Sequence, residues 1–540
     1  MNKELIVDAL INVFPLLVPE CILGFFACVL FLGGTWRANR HIWGAVALGA
    51  LVAAGVALLW LARLKPVPRF DSREAAWAAL YVGPVVFDRL AVLIKAVALI
   101  GGGILVLFSW DEVSDENAAE YHGCLLTIIA GTCLTAAANE LITLFLALEL
   151  ISIPTYVLLY LVRSDDAGKE AAVKYFLLSV FSSALLLFGF SYLYGLSGTT
   201  NLYGIAEALS PRERADEALP GMALVAVVMV VAGLGFKITA VPFHFYAPDV
   251  YQGTSTGAAA LLAFIPKLAG FIALIRILGL MPFDLPDLER RPMLMSQVST
   301  LLWIVAAVTM TLGNVLALLQ DNVKRLLAYS SVAHAGYMLI GLAVAPYLVG
   351  RTTSGGLSTV GTDAVLFYLV SYGAMTIGAF AVLEYLSTRD RPVETVDDLA
   401  GLSKSHPGVA LLMTLFMFSL IGMPATAGFV GKLLVFVGAF SVPYSPGSDT
   451  GLGDQANLFR ILALIGVLNA AIGGWYYLRI VTVMYLRTPL QPLPKPSVSP
   501  RLVAVWACAL VTLVFGLYPK PLVDRSQEAV VNKVEVTSAP

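Results

Sequence analysis

Ionisable side chains lie inside or beside long apolar runs of this chain, where a charge is costly. Four lysines, one glutamate and two histidines are concerned: Glu149, Lys174, Lys237, His244, Lys267, His334 and Lys432. A charge at the centre of a bilayer costs at least about 2.5–3.5 kcal/mol, so such residues are rare and usually face internal water or a charged partner. A buried lysine loads or releases a proton when a neighbouring charge changes, so the set predicts a proton relay.

The candidate residues suit different roles in proton transfer. Glu149 is the natural modulator, because a carboxylate raises the proton affinity that burial lowers in a nearby lysine. His244 and His334 titrate near neutrality and suit proton relay. Purely structural roles stay open as alternatives. Lys174 or Lys267, near span ends, could extend its ammonium to the membrane surface, and a glutamate and a lysine could form an inert ion pair. Either histidine could be a core residue whose hydrogen bonds are satisfied.

Apolar runs of about 20 residues must position these groups, since that length crosses about 30 Å of hydrocarbon as a helix. Backbone groups in lipid must pair internally, so the sequence predicts an all-α integral membrane protein. About fourteen transmembrane helices are predicted, at residues 13–34, 43–64, 84–108, 122–138, 140–162, 172–196, 220–241, 256–280, 298–319, 325–345, 362–386, 409–440, 458–486 and 501–518.

Two predicted spans are interrupted by glycine and proline, and each carries a lysine. The seventh reads GLGFK over Gly233–Lys237, before Pro242 and Pro248, and the twelfth reads GMPATAGFVGK over Gly422–Lys432. Proline removes a helical donor and glycine lowers the cost of unwinding, so carbonyls and a lysine can be presented together. Paired broken helices typify the working site of a repeat-built transporter. A kink that only improves packing is the simpler alternative.

Composition excludes several classes of protein. Hydrophobic residues make up 59% of the 540 residues and charged residues 13%, with a mean hydropathy of +0.83. The net charge of −2 provides no basic field for a nucleic acid. The five cysteines form no C-x-x-C pair, and Gly101–Gly103 lies inside an apolar run rather than between a strand and a helix. Neither an iron–sulfur site nor a dinucleotide site is therefore expected on this chain.

Five stretches carry a resemblance to a known family. They are Leu148–Leu158, Ala172–Leu178, Gly235–Gly253, Gln320–Tyr337 and Gly422–Lys432. In order, they resemble the antiporter-like, proton-translocating membrane subunits of respiratory complex I (NADH–quinone oxidoreductase), most closely the N type. The resemblance runs from about residue 84 to 486, and the rest of the chain matches only in hydropathy. After Gly253 the chain reads TSTG where the family often has a proline, which leaves that loop's geometry open.

The resemblance implies a role for each candidate. Glu149 is similar to the fifth-helix glutamate that modulates the proton site, and Lys237 to the central lysine of the broken seventh helix. Lys174 is similar to its sixth-helix neighbour, and Lys267 to the connecting lysine of the eighth helix. His334 resembles the tenth-helix histidine and Lys432 the twelfth-helix residue that passes protons onward.

The resemblance also implies the domain organisation. Helices four to eight and nine to thirteen would form two inverted five-helix repeats, with helices 7 and 12 broken. The implied parts are residues 1–121 (helices 1–3), 122–280 (first repeat), 281–486 (second repeat) and 487–540 (helix 14 and tail).

The implied function is proton translocation driven by NADH-to-quinone electron transfer in other subunits. FMN and iron–sulfur clusters would lie in those partners, with no cofactor on this chain. K-type and M-type membrane-arm subunits would adjoin it in a bacterial plasma (inner) membrane, with NADH and quinone met only through the complex. Two alternatives stay open: a subunit of a multisubunit cation/proton antiporter, and a non-pumping scaffold or quinone-site subunit.

Overall fold

The computed structural model describes residues 13–64, 83–163, 165–209, 220–278, 293–348, 361–388, 392–442, 452–489 and 500–530. The predicted boundary at 280/281 lies outside these residues.

Long helices account for most of the described chain. They are α1 Val18–Gly34, α2 Arg40–Leu64, α3 Arg89–Phe108, α4 Ala118–Ala137, α5 Leu141–Val162, α6 Asp166–Ser197, α7a Pro220–Lys237 with α7b Ala247–Gly253, α8 Thr256–Leu278, α9 Met293–Leu318, α10 Val323–Leu348, α11 Thr362–Leu386, α12a Pro407–Ile421 with α12b Ala427–Phe440, α13 Leu452–Leu486 and α14 Pro500–Leu517. Short helices cover Phe14–Leu17, Leu202–Ala208, Val396–Leu399, Leu402–Ser405 and Lys520–Val530.

Among the described residues, 11 helices are long and apolar enough to cross a membrane, and α7a, α12a and α12b are shorter apolar helices. Helix α4 is not among the 11. Extended structure in the described ranges is limited to isolated bridges such as Glu140 with Asn201. The prediction of an all-helical, multi-pass membrane protein is confirmed, while the count of fourteen spans stays a prediction.

Helix boundaries differ from the predicted spans where a cap or a turn intervenes. Helix α6 begins at Asp166 rather than residue 172, because the Asp165 side chain accepts a hydrogen bond from the Gly168 N–H and caps the helix. Helix α7a ends at Lys237 rather than residue 241, since Thr239 has a φ of 59°. The predicted single span 409–440 is two helices, α12a and α12b.

Three helices form the centre of the bundle. Helices α8, α10 and α11 are almost wholly buried, whereas only about a third or less of the apolar stretch is buried in α1, α2, α6, α13 and α14. The exposed residues of these outer helices are largely apolar, for example Phe25, Leu59 and Phe176. In a membrane these side chains face lipid, and the ionisable groups of the inner helices are shielded from it.

A buried ion pair fixes the end of the central helix α8. The Arg276 guanidinium donates to both carboxylate oxygens of Asp88, at 2.6 and 2.8 Å, and also to the Ala136 carbonyl. Paired, hydrogen-bonded charges are the form in which ionised groups tolerate burial. The pair ties α8 to the start of α3 and the end of α4.

Candidate functional site

The two helix breaks present backbone groups next to their lysines. After α7a, the Ala240 N–H donates to the Gly235 carbonyl at 2.8 Å, and the Tyr246 hydroxyl donates to the Phe236 carbonyl at 3.0 Å. After α12a, Gly422 adopts a φ of 91°, the left-handed region that favours glycine. Each break is therefore a defined turn rather than a bend in a continuous helix.

Lys237 lies at the end of α7a and is buried. Its ammonium donates to the Ser152 hydroxyl on α5. Glu149 stands one turn before Ser152 on α5, and its carboxylate accepts a hydrogen bond from the Ser183 hydroxyl on α6. The structure thus brings the predicted glutamate and lysine to neighbouring positions, with two serines holding them.

Lys174 lies outside this pair. Its ammonium is 2.7 Å from Asp249 on α7b and 2.7 Å from Glu170, and the side chain is 40% exposed. Asp249 also accepts from Arg325 at 2.7 Å. The structure therefore places Lys174 in an ion-pair network that joins α6, α7b and α10, not next to Lys237.

Lys267 occupies the middle of α8 with no exposed surface. Its ammonium donates to the Ser331 carbonyl and, at 2.6 Å, to the Ser331 hydroxyl on α10. The Tyr372 ring centroid lies 4.8 Å from the Lys267 nitrogen. Gly270, one turn further along α8, packs so tightly against Lys237 that a Cβ there would lie 3.0 Å from the Lys237 Cβ. The two lysine-bearing helices are therefore in direct contact.

His334 lies at the centre of a hydroxyl network. Its Nδ1 shares a hydrogen bond with the Tyr368 hydroxyl at 2.8 Å, and its Nε2 shares one with the Tyr477 hydroxyl at 3.1 Å. The Tyr477 hydroxyl is also hydrogen-bonded to Ser330. The Tyr372 ring centroid lies 5.2 Å from the His334 ring centroid, so the aromatic ring beside Lys267 also contacts His334.

Lys432 is held by the end of a helix. Its ammonium donates to the Leu420 and Ile421 carbonyls at 2.8 and 2.9 Å. Those carbonyls belong to the last turn of α12a, where intrahelical donors are missing and the helix dipole favours a cation. The Tyr337 ring centroid is 4.9 Å from the Lys432 nitrogen and 5.7 Å from the His334 ring centroid.

His244 lies in the connection between α7a and α7b and is half-buried. Its Nδ1 is buried, and no hydrogen-bond partner for it occurs in the part of the chain that the structure describes. His244 is thus close in sequence to the Lys237 site, but no described contact joins it to the other candidates.

Sequence reasoning missed the residues that connect the lysines and an additional buried lysine. The connecting residues are Ser152, Ser183, Ser330, Ser331, Tyr337, Tyr368, Tyr372 and Tyr477. Lys95 on α3 has no exposed surface and pairs with Glu20 at 2.7 Å. Lys95 is a charge inside the third predicted span, the same signal that identified Lys237. Serine and tyrosine are ordinary in membrane helices and gave no such signal.

The arrangement is a series of ionisable and hydroxyl groups across the buried helices. Glu149 and Lys237 come first, then Lys267 with Ser331, then the His334 network, and finally Lys432. Hydroxyl groups both donate and accept hydrogen bonds, so they suit transfer between the charged groups. Among the described residues, no group of three or more His, Cys, Asp or Glu side chains could hold a metal ion.

Comparison with known proteins gives one consistent result. Residues 138–445 match the family described as NADH:quinone oxidoreductase/Mrp antiporter, TM. The NADH-quinone oxidoreductase subunit N of Trichlorobacter lovleyi is 39% identical over 479 residues, which cover 88% of this chain and 90% of the relative.

Comparison with solved structures leads to the same family. A chain of respiratory complex I from Thermus thermophilus with bound aureothin is 29% identical with a TM-score of 0.71, covering 94% of this chain and 99% of that chain. A chain of the Mrp complex from Dietzia sp. is 20% identical with a TM-score of 0.73. The match covers 96% of this chain and 98% of that chain, and it shows that the two share a fold.

Proposed function

The chain belongs to the subunit N family of the NADH–quinone oxidoreductases, and from this membership we propose that its buried lysines and histidine carry protons across the membrane. The protein is a proton-translocating, multi-pass membrane subunit of that enzyme complex. The observation that supports the proposed route is the series of contacts from Glu149 through Lys237, Lys267 and His334 to Lys432.

In the proposed route, Lys237 is the first lysine to take up a proton. Burial disfavours the charged ammonium, and the Glu149 carboxylate one helical turn from its Ser152 partner favours it. Movement or protonation of Glu149 changes this balance. The lysine then passes its proton toward α8, with which α7a is in contact at Gly270.

Lys267 and His334 carry the proton through the centre. The Lys267 ammonium donates to both oxygens of Ser331, and the Tyr372 ring beside it contacts the His334 ring. An imidazole can accept a proton at one nitrogen and release one at the other, which suits a relay between two lysines.

Lys432 receives the proton and releases it. The two α12a carbonyls stabilise the ammonium form, so release requires those acceptors to move away or water to replace them. Gly422 stands between these carbonyls and the lysine stem: a Cβ there would lie 3.0 Å from the Lys432 Cδ. The turn at Gly422 is therefore where we expect the route to open.

We extend the proposal to two inverted repeats, α4–α8 and α9–α13, as the predicted boundaries 122–280 and 281–486 require. Matching contacts support it: α4 packs on α5 as α9 packs on α10, and α4 on α8 as α9 on α13. An isolated bridge joins Glu140 to Asn201 around α5 and α6, and another joins Asn322 to Thr395 around α10 and α11.

Helix directions support the inversion. At the end of α5, Arg163 donates to the Gln252 carbonyl of α7b at 3.3 Å. At the start of α10, Arg325 donates to Asp249, also of α7b. Helix α5 therefore ends where α10 begins, so the corresponding helices of the two sets run in opposite directions.

The rest of the proposal concerns the complex. This chain carries no redox step itself, and FMN and iron–sulfur clusters belong to partner subunits. Its neighbours are K-type and M-type membrane-arm subunits, and the membrane is the bacterial plasma (inner) membrane, as the bacterial source of the relatives supports. The proton role rather than a static scaffold is favoured by the buried lysines, since a scaffold gains nothing from their cost.

Replacing Glu149 tests the loading step. Glu149→Gln is expected to slow proton translocation about tenfold, because losing a nearby carboxylate removes about 1–2 kcal/mol that favours protonated Lys237. Glu149→Asp keeps the charge, displaced by one methylene, and is expected to be milder. Proton uptake per NADH oxidised would be measured in vesicles containing the assembled complex.

The exposed Glu116, in the connection after α3, provides the control in Glu116→Gln, which is expected to pump normally. Equal defects in Glu149→Gln and Glu149→Asp would mean that geometry rather than charge governs the site, against this account.

A further inference from the structure

A second group of charged side chains, buried or half-buried, lies at the start of α8, away from the lysine series. Glu112, in the connection after α3, accepts a hydrogen bond from the Gly257 N–H at 3.0 Å through one carboxylate oxygen. A Cβ at position 257 would lie 2.1 Å from its other oxygen, so glycine leaves the space that this carboxylate fills. Glu384, near the end of α11, is only 8% exposed and interacts electrostatically with Glu112.

Basic side chains flank the two carboxylates. Arg501 lies 3.5 Å from Glu384 and 3.9 Å from Asp111, and Lys324 donates to the Thr254 carbonyl at 3.0 Å. Three acids thus face two bases. Other groups that interact with this cluster are the Tyr121 phenol and, around Lys324, the oppositely charged Arg163 and Glu394.

Glu112 has the properties of a proton-binding carboxylate. Burial raises the pKa of its carboxyl, an effect that the Gly257 N–H and the positive charges of Lys324 and Arg501 oppose. Two carboxylates that interact electrostatically, as Glu112 and Glu384 do, share protons because their negative charges repel each other.

Four buried hydroxyls extend from this cluster toward Lys267. They belong to Tyr251, Thr254, Tyr372 and Thr376, each at most 2% exposed. Within the described ranges, none of these hydroxyl oxygens has a hydrogen-bond partner. Polar groups buried in this way bind water in most proteins, and hydroxyls with bound water conduct protons.

Helix α11 orders these groups along one face. Tyr372, Thr376, Phe380 and Glu384 recur every four residues and so form a single ridge about 18 Å long. The Tyr251 ring packs on the apolar member, Phe380, with ring centroids 6.1 Å apart, and supplies a hydroxyl at that level. At the far end the Tyr372 ring meets the Lys267 ammonium at 4.8 Å.

We propose that Glu112 and Glu384 form a proton-binding site of the translocation pathway, and that the hydroxyls of Thr254, Tyr251, Thr376 and Tyr372 conduct protons from it to Lys267. The inference rests on the proposed function of Lys267. Only a proton moves: it leaves the carboxylic acid oxygen, and the Lys267 amine nitrogen gains one. The cluster would thereby control the protonation of Lys267, so that passage through the middle of the route depends on the cluster as well as on Lys237.

Two substitutions remove the site without changing its volume. Glu384→Gln and Glu112→Gln are each expected to lower proton uptake per NADH oxidised, measured in vesicles with the assembled complex, by a factor of about ten. The infrared carbonyl band of a buried carboxylic acid is expected in the parent complex and is expected to be lost in the double variant. Glu116→Gln, an exposed change in the same connection, is the matched control and is expected to leave both readouts unchanged.

The hydroxyl path has its own test, which also serves if the glutamine variants fail to assemble. Thr376→Val deletes one hydroxyl with little change of shape and is expected to slow pumping several-fold. Thr414→Val is the control, since that hydroxyl bonds the Ala410 carbonyl of its own helix. Normal pumping in Thr376→Val, or in both glutamine variants, would overturn the inference.

The outcome also separates this inference from the proposed function. If Lys237→Met abolishes pumping while the cluster variants pump normally, the inference fails and the lysine route stands. If Lys237→Met pumps normally, the proposed function fails whatever the cluster variants do.

Discussion

Lys237→Met is expected to remove at least about nine tenths of the proton translocation driven by NADH oxidation, while the complex remains assembled. Methionine keeps most of the apolar volume and deletes only the charge. The Ser152 hydroxyl, which loses its ammonium partner, still donates to the Leu148 carbonyl at 2.7 Å, so no buried polar group is orphaned. The measurement is proton uptake per NADH oxidised in vesicles, normalised to assembled complex.

Lys169→Met is the matched control, because that lysine is 53% exposed on α6 with only a weak ion pair to Asp166. It should pump like the parent. Normal pumping by intact Lys237→Met complex would remove Lys237 from the proton path.

Lys432 provides the second large effect, and the structure determines which variants are informative. Lys432→Met leaves the Leu420 and Ile421 carbonyls without their donor, so it combines a structural defect with the loss of charge. Lys432→Gln offers an amide N–H to the same carbonyls but has no titratable proton to release. Lys432→Arg keeps the charge and the donors, yet its pKa above about 12 prevents release.

All three Lys432 variants are expected to lose at least about nine tenths of the pumping, with Gln and Arg assembling better than Met. A lysine that only caps α12a would give another order, with Arg and Gln near normal and Met impaired. Proton uptake normalised to assembled complex distinguishes the two, with Lys404→Met, an exposed lysine before α12a, as the control.

The sequence predicts the helices and the charged groups because both have strong physical signatures. Long apolar runs can only be helices in lipid, and lysines inside such runs are rare enough to identify Lys237, Lys267 and Lys432. The same reasoning applied to the third span would have identified Lys95. The broken helices were also predictable, since Gly422 and Pro424 interrupt an otherwise apolar run.

Contacts between distant helices were not predictable from one sequence. Ser152, Ser331 and Tyr477 are common residues in membrane helices, and only packing brings them to the ionisable groups. Lys174 is a second example of a contact that one sequence does not predict. Its sequence context resembles that of a site residue, yet it forms an ion pair with Asp249, 75 residues away. The proton-relay roles of Lys174 and His244 stay predictions.

A double variant tests most directly whether the buried groups form one continuous route. Proton uptake per NADH oxidised would be compared in Lys237→Met, Lys432→Gln and the combination of both, each as assembled complex. Groups in series on one route are blocked by either change, so the account predicts the same residual uptake in all three variants. Two single variants that each keep a substantial share of uptake, with that share lost only in the double variant, would mean separate parallel routes and would contradict it.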